Sequence, residues 1–148
     1  MLNLSVKTVA EVVDIYGQSA IERMRPFFQA ATVDYPPKRV VLLALKEEKK
    51  LEVWATHDQE FAHIRDYVIQ KTSGGIGPKL REGDRQVPEG FYKIEGLNPN
   101  SAYHLSIKLN YPNSFDLHHA ANEGRVEPGS NIFIHGKDVS IGCLAMGI

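Results

Sequence analysis

No apolar stretch in this 148-residue chain is longer than the six residues VVLLAL at 40–45. A helix that crosses a bilayer needs about 18 apolar residues in a row, so the sequence contains no such span. Short apolar runs bounded by charge, proline and glycine are instead the pattern of strands in a compact domain. A second run at 51–55 follows Lys46-Glu47-Glu48-Lys49-Lys50, which predicts a hairpin with a solvated turn. The mixed signs in that turn speak against a binding role. Trp54 is expected in the core of its strand.

The first 37 residues read differently. Val9, Val12, Val13 and Tyr16 recur at helical spacing, with Gly17 placed to end a helix. Ser19 and Glu22 form a capping-box pattern for a second helix, which Pro26 should bend or shorten. Tyr35-Pro36-Pro37 closes this helical N-terminal arm, 1–37, and leaves 38–148 as the globular domain. The arm serves either as a packing appendage, the commoner case, or as an anchor for a partner.

Asp58 can cap a helix carrying Phe61, Ile64, Tyr67 and Val68, the clearest amphipathic helix in the chain. Residues 73–90, SGGIGPKLREGDRQVPEG, have no apolar period, and a long segment of this kind inside a domain is often functional. The next strand should begin within 91–94. In 103–109 the odd positions are apolar and His104, Ser106 and Lys108 form a polar row, the alternation of a half-buried strand. A turn at Asn110-Tyr-Pro-Asn, a short helix at 116–121 and a strand at 131–135 complete the inventory. It favours an α+β, mainly β domain with one packed amphipathic helix.

Charge and cysteine content limit the function. Lys plus Arg is 17 and Asp plus Glu is 18, so a net charge of −1 argues against nucleic acid or an anionic membrane as main partner. A single cysteine excludes an internal disulfide and any zinc site built on two or more thiolates. Asp116, His118, His119 and His135 make a poor metal site, because neighbouring histidines diverge on a helix or a strand. The first residues, MLNLSVKTVAEVVD, lack the charged start and apolar core of a signal peptide.

The most informative stretch is I-H-G-K-D-V-S-I-G-C, 134–143. A free thiol ionises near pH 8.5 and is mostly unreactive at neutral pH. His135 can accept the Cys143 proton and make the sulfur a nucleophile. Gly136 and Gly142 permit tight turns, and the amides of Gly142 and Cys143 can face a developing oxyanion. The alternative is a buried, inert cysteine near a histidine.

The tail I-H-G-K-D-V-S-I-G-C-L-A-M-G resembles the signature of the L,D-transpeptidase (YkuD-type) catalytic domain, most closely its YafK-like branch. G-P-K-L-R-E-G-D-R-Q-V-P-E-G-F-Y at 77–92 and Y-H-L-S-I-K-L-N-Y-P-N at 103–113 are similar to two further family segments in the same order. The resemblance implies an L,D-transpeptidase-like β-rich fold with a cysteine in a cleft. It implies acyl transfer on peptidoglycan stem peptides through a thioester, resolved by an amine or by water. It also implies a working site in the cell envelope or periplasm and no metal or organic cofactor. An envelope lipoprotein is one acceptor the family admits. An export or anchor segment upstream of this chain is then expected.

By motif, Cys143 is the nucleophile, His135 the base, and the Gly136 carbonyl the acceptor that orients the imidazole. Ser140 braces the turn or is an ordinary turn serine. His104 and Ser106 line the cleft or decorate the surface. Lys79 and Arg81 bind a substrate carboxylate or belong to a solvated loop. Tyr111 and Asn113 shape the cleft rim or serve the turn. Ile141 stands where the wider family has a second histidine, and Ala145 where it often has Arg or Asn. The chain also ends five residues after Cys143, which suggests a truncated domain. The alternative function is a catalytically silent peptidoglycan-binding or scaffold protein of the same fold.

Overall fold

A computed structural model describes residues 6–102, 104–136 and 143–146. The chain divides into two compact units, Ala10–Val68 and a second comprising Met1–Val9 with Ile69–Ile148. The boundary expected after residue 37 lies inside the first.

The first unit opens on α1 (Val9–Ala30), one continuous helix where the sequence predicts two. Gly17 and Pro26 both lie within it. A glycine inside a helix costs only about 1 kcal/mol relative to alanine. Ser19, expected as a cap, instead accepts a hydrogen bond from the Arg23 guanidinium one turn later. Burial of Val12 and Phe28 outweighs the local stop signals.

The helix ends in a Schellman closure: the Thr32 N–H donates to the Gln29 carbonyl at 3.1 Å and the Val33 N–H to Phe28 at 3.0 Å. Thr32 has φ 56°, a conformation that disfavours a β-branched residue by about 1–2 kcal/mol. Thr32→Gly is therefore expected to stabilise the fold by about 1 kcal/mol, seen as a higher urea midpoint at unchanged slope. A lower midpoint would mean that the threonine contacts outweigh the strain.

β1 (Arg39–Leu45) and β2 (Lys50–Thr56) form the expected hairpin, in register from Arg39↔Thr56 to Leu45↔Lys50. β3 (Ala62–Val68) pairs antiparallel with the other side of β2, giving the order β1-β2-β3. The amphipathic helix expected over 58–68 is thus a strand. Its apolar spacing fits both periods over so short a run. Phe, Ile, Tyr and Val favour strands, and β2 offers a row of backbone groups to pair. Ile64 joins Phe28, Val53 and Ala55 in the core, with Met24, Leu42 and Tyr67 packed around them. Trp54 points to the opposite face from Val53 and Ala55. It is half-buried and edge-on to His63 at 5.3 Å, outside the core it was expected to fill.

The second unit holds β4 (Lys71–Thr72), β5 (Ile94–Ser101), β6 (His104–Leu109), α2 (Ser114–Asn122), β7 (Phe133–His135) and β8 (Leu144–Ala145). The sheet order is β4-β8-β7-β6-β5. Pro99 is tolerated because β5 is an edge strand. Asn113 caps α2 with a reciprocal box to Asp116, both bonds 3.0 Å. The protein is α+β and mainly β. No helix among the described residues is long and apolar enough to cross a membrane.

Candidate active site

The last strand places the thiol. β8 has a neighbour on each side: Lys71↔Ala145 and Thr72↔Leu144 toward β4, and Ile134↔Leu144 and His135↔Ala145 toward β7. The Met146 N–H closes the parallel ladder on the His135 carbonyl at 2.9 Å. Side chains alternate across a sheet, so paired His135 and Ala145 share a face. Cys143 lies two residues before Ala145 and emerges toward that same face. Ile107 pairs with Ile134, so the next residues along, Ser106 and His135, also turn to one face. By register, His135, Ser106 and the residue two before Ala145, Cys143, fall on one face of the sheet.

His135 is buried, 8% exposed, and its Nδ1 lies 2.6 Å from the Gly136 carbonyl. A carbonyl only accepts, so Nδ1 carries a proton, and in the neutral ring Nε2 is the nitrogen left with the lone pair. The Cys143 thiol donates to the Asn131 carbonyl at 3.8 Å and accepts from the Phe133 N–H at 3.4 Å. Burial pushes the thiol up from its ordinary value, against smaller opposing effects of the Phe133 N–H and the Lys79 charge. Burial thus favours the protonated thiol over a preformed thiolate at Cys143. Ser140 and Gly142, and with them one oxyanion donor, lie outside the described residues.

The loop at 73–90 is internally tied. The side chain of Gln86 accepts from the Gly75 N–H at 2.6 Å and donates to the Gly77 carbonyl at 3.1 Å. Gly74, at φ 76°, leaves room for Gln86: a Cβ there would fall 1.7 Å from its Oε1. Lys79 departs from expectation. It is buried rather than solvated, and its ammonium pairs with Asp84 at 2.6 Å and donates to the Arg81 carbonyl at 3.1 Å. A cation engaged in this way is not open to a substrate carboxylate. Burial alone would raise the Asp84 carboxyl. The Lys79 ammonium and the N–H groups of Gln86, Leu80 and Arg81 more than reverse that and hold it well below the usual carboxylate range.

Tyr111 is buried, and its hydroxyl serves the carbonyls of Pro128 at 2.5 Å and Lys79 at 3.3 Å. Burial, with the Asp116 and Asp84 charges, pushes it up to about 12, so it is a neutral donor. Gly129 has φ 118°, and a Cβ on it would meet Lys79 Cε at 2.4 Å. Gly129→Ala is expected to destabilise by about 2–3 kcal/mol through strain and overlap, read as a lower urea midpoint. An unchanged midpoint would show that this backbone yields freely.

The remaining candidates separate. Ser106 is 3% exposed, so it is neither surface decoration nor open to a bulky ligand. His104 is exposed, at φ 69°, opposite Ser101 at the hairpin end. Arg81 is exposed on the loop. Asn113 is engaged as the α2 cap. Of the proposed ligand set, Asp116 is held in the capping box, His118 contacts Asn122 at 3.0 Å, and the His119 ring tilts against Phe115. The first unit groups Glu52, His63 and Asp66, but the Lys50 ammonium already lies 3.5 Å from Glu52 and 3.8 Å from Asp66.

A cavity of about 560 Å³ runs along this region, lined in part by Phe91, Lys93, Glu95, Lys108, Tyr111 and Asn131. Its lining includes Asn131, whose carbonyl accepts from the Cys143 thiol, but neither Cys143 nor His135. Phe91 at its rim is 98% exposed. Sequence reasoning missed Asp84, Gly129, Asn131 and the Lys108–Glu95 pair, 3.3 Å apart. The charged loop contained Asp84 in plain view; nothing in the sequence marks Asn131, whose φ is 53°.

No family model matches the sequence. A protein of Escherichia coli (strain K12) named "Putative L,D-transpeptidase YafK" is 38% identical over 109 residues, which is 72% of this chain and 42% of the relative. The helical cell shape determining protein Pgp2 of Campylobacter jejuni superposes with a TM-score of 0.59 at 26% identity, over 73% of this chain and 40% of that one. Bd1075 of Bdellovibrio bacteriovorus shares the fold, with a TM-score of 0.51 at 24% identity over 76% of this chain and 40% of that one. The chain thus spans about two fifths of the length of the relatives it matches. On this sequence identity and shared fold, the chain belongs to the L,D-transpeptidase family, in its YafK-like branch.

Proposed function

We propose that the second unit carries out cysteine-dependent acyl transfer on peptidoglycan stem peptides, in the cell envelope. The observation that carries the reading is the His135 Nδ1–Gly136 carbonyl bond, which turns Nε2 into a base on the sheet face from which Cys143 emerges. Rotation about the Cβ–Sγ bond moves the thiol proton from the Asn131 carbonyl to Nε2. The sulfur then bonds to the substrate carbonyl carbon, and charge develops on the carbonyl oxygen near the amides of Gly142 and Cys143. The imidazolium gives its proton to the departing amine, leaving a thioester on Cys143. An incoming amine or water, deprotonated by Nε2, displaces the sulfur and regenerates the thiol. Arg81 and the cavity lysine Lys93 suit the carboxylates of such a peptide. An amine on a second stem, water, or an envelope lipoprotein is the acceptor.

The test is intact-mass analysis after incubation with a carbapenem, a strained acylating agent. One adduct on Cys143 is expected. A folded protein that never acquires it would favour the silent wall-binding reading.

A further inference from the structure

Lys79 has no role in the acyl-transfer scheme; the cost of burying its ammonium is offset by Asp84 and the Arg81 carbonyl, and the pair sits against the segment that reaches the sulfur. Its stem lies against the backbone of Gly129, so closely that glycine alone fits there. Two residues on, the Asn131 carbonyl meets the Cys143 sulfur. Tyr111 fastens the same segment from the other direction, joining the carbonyls of Pro128 and Lys79. Glu82 adds two ties, its N–H to the Glu127 carbonyl at 2.8 Å and its carboxylate to the Ser130 hydroxyl at 3.0 Å.

We propose that Lys79 is a positioning residue for Cys143: seated on Gly129 and aimed by Asp84, it fixes the backbone that faces the sulfur and places a buried positive charge in the sulfur's surroundings. The inference rests on the nucleophile assignment for its functional meaning. Of the ion pair, the ammonium end is the one that acts on the thiol, easing its ionisation against burial. Among the described residues, the other ionisable groups of these segments include His135 on β7, Asp84 and Glu82 on the loop, Tyr111, and Arg125, whose guanidinium binds the Leu80 carbonyl. Asp84 turns its oxygens to Lys79 and to the N–H groups of Leu80, Arg81 and Gln86. It therefore sets where the ammonium sits and how much of its charge is compensated.

The test is the pH midpoint of iodoacetamide alkylation of Cys143, followed by mass in the whole chain with circular dichroism as the check on folding. Lys79→Met should raise the midpoint by about one pH unit, a tenfold lower thiolate fraction at neutral pH. Lys79→Arg should leave it within a few tenths. Asp84→Asn keeps an acceptor for the backbone but frees the ammonium's charge, so its midpoint should fall. A merely structural pair would move Lys79→Met and Asp84→Asn in the same direction, or neither, and either result overturns the proposal. If Lys79→Met does not fold, Asp84→Asn and Lys79→Arg decide: an upward or null shift in the first, or a shift of a full unit in the second, refutes it. The readout needs no turnover. Opposite shifts in a protein that never forms the carbapenem adduct would refute the acyl-transfer reading and leave this one standing.

Discussion

Cys143→Ala should abolish processing of purified muropeptides, and His135→Ala should slow it by about 10²–10⁴-fold. The two differ because they remove different things. Without the sulfur no thioester can form. Without the imidazole the sulfur is still present but must lose its proton to water. Burial holds the Cys143 thiol above its ordinary value, so little thiolate exists at neutral pH in that variant. Its residual rate should therefore rise about tenfold per pH unit through the alkaline range, while the parent rate should be much flatter there. Unimpaired turnover in Cys143→Ala would exclude the mechanism outright.

Asp84→Ala should cost about 3–5 kcal/mol of stability at pH 7, a large share of what holds a small domain together. The Lys79 side chain is only 4% exposed and that of Asp84 14%, so water cannot take over the lost partner. Three backbone N–H groups lose their acceptor in the same substitution. The pH dependence has a definite sign. The folded carboxyl ionises well below its unfolded value of about 3.9, so its contribution is complete above that pH. It is lost as pH falls through the folded value. Urea unfolding at pH 7 and pH 3 should thus show the gap between parent and variant narrowing with acid. A loss under 1 kcal/mol at pH 7 would mean that the pair behaves like an exposed one.

Parts of this arrangement are legible in one dimension because the physics behind them is local. The VVLLAL and LEVWA runs with a charged turn between them can hardly avoid a hairpin, and the short helix expected at 116–121 lies within α2, whose Asn113 cap the sequence marks only as a turn residue. The alternation in 103–109 correctly marks a strand. It does not reveal that Ser106 is buried, since burial depends on what covers the sheet. Residues 61–68 satisfy helix and strand periods alike. The free side of β2 settled the matter: it offers unpaired backbone groups to the segment that follows it, from Ala55↔Ala62 to Lys50↔Val68, and periodicity alone does not record that.

The chemistry divides along the same line. Sequence alone marked the histidine, the lone thiol and their glycine setting as candidates, because the proposed chemistry needs particular residue types and the motif carries both within ten residues. It also showed a basic, acidic and glycine-rich loop, but not which charges meet. Only the folded chain turned Lys79 inward onto Asp84, matched Gly129 to its stem and brought the Asn131 carbonyl to the sulfur. Gly129 and Lys79 are 50 residues apart, Asn131 and Cys143 only 12, and Lys79 and Asp84 only five; what they share is that their strength comes from excluding water, a property that no stretch of chain has until it is packed.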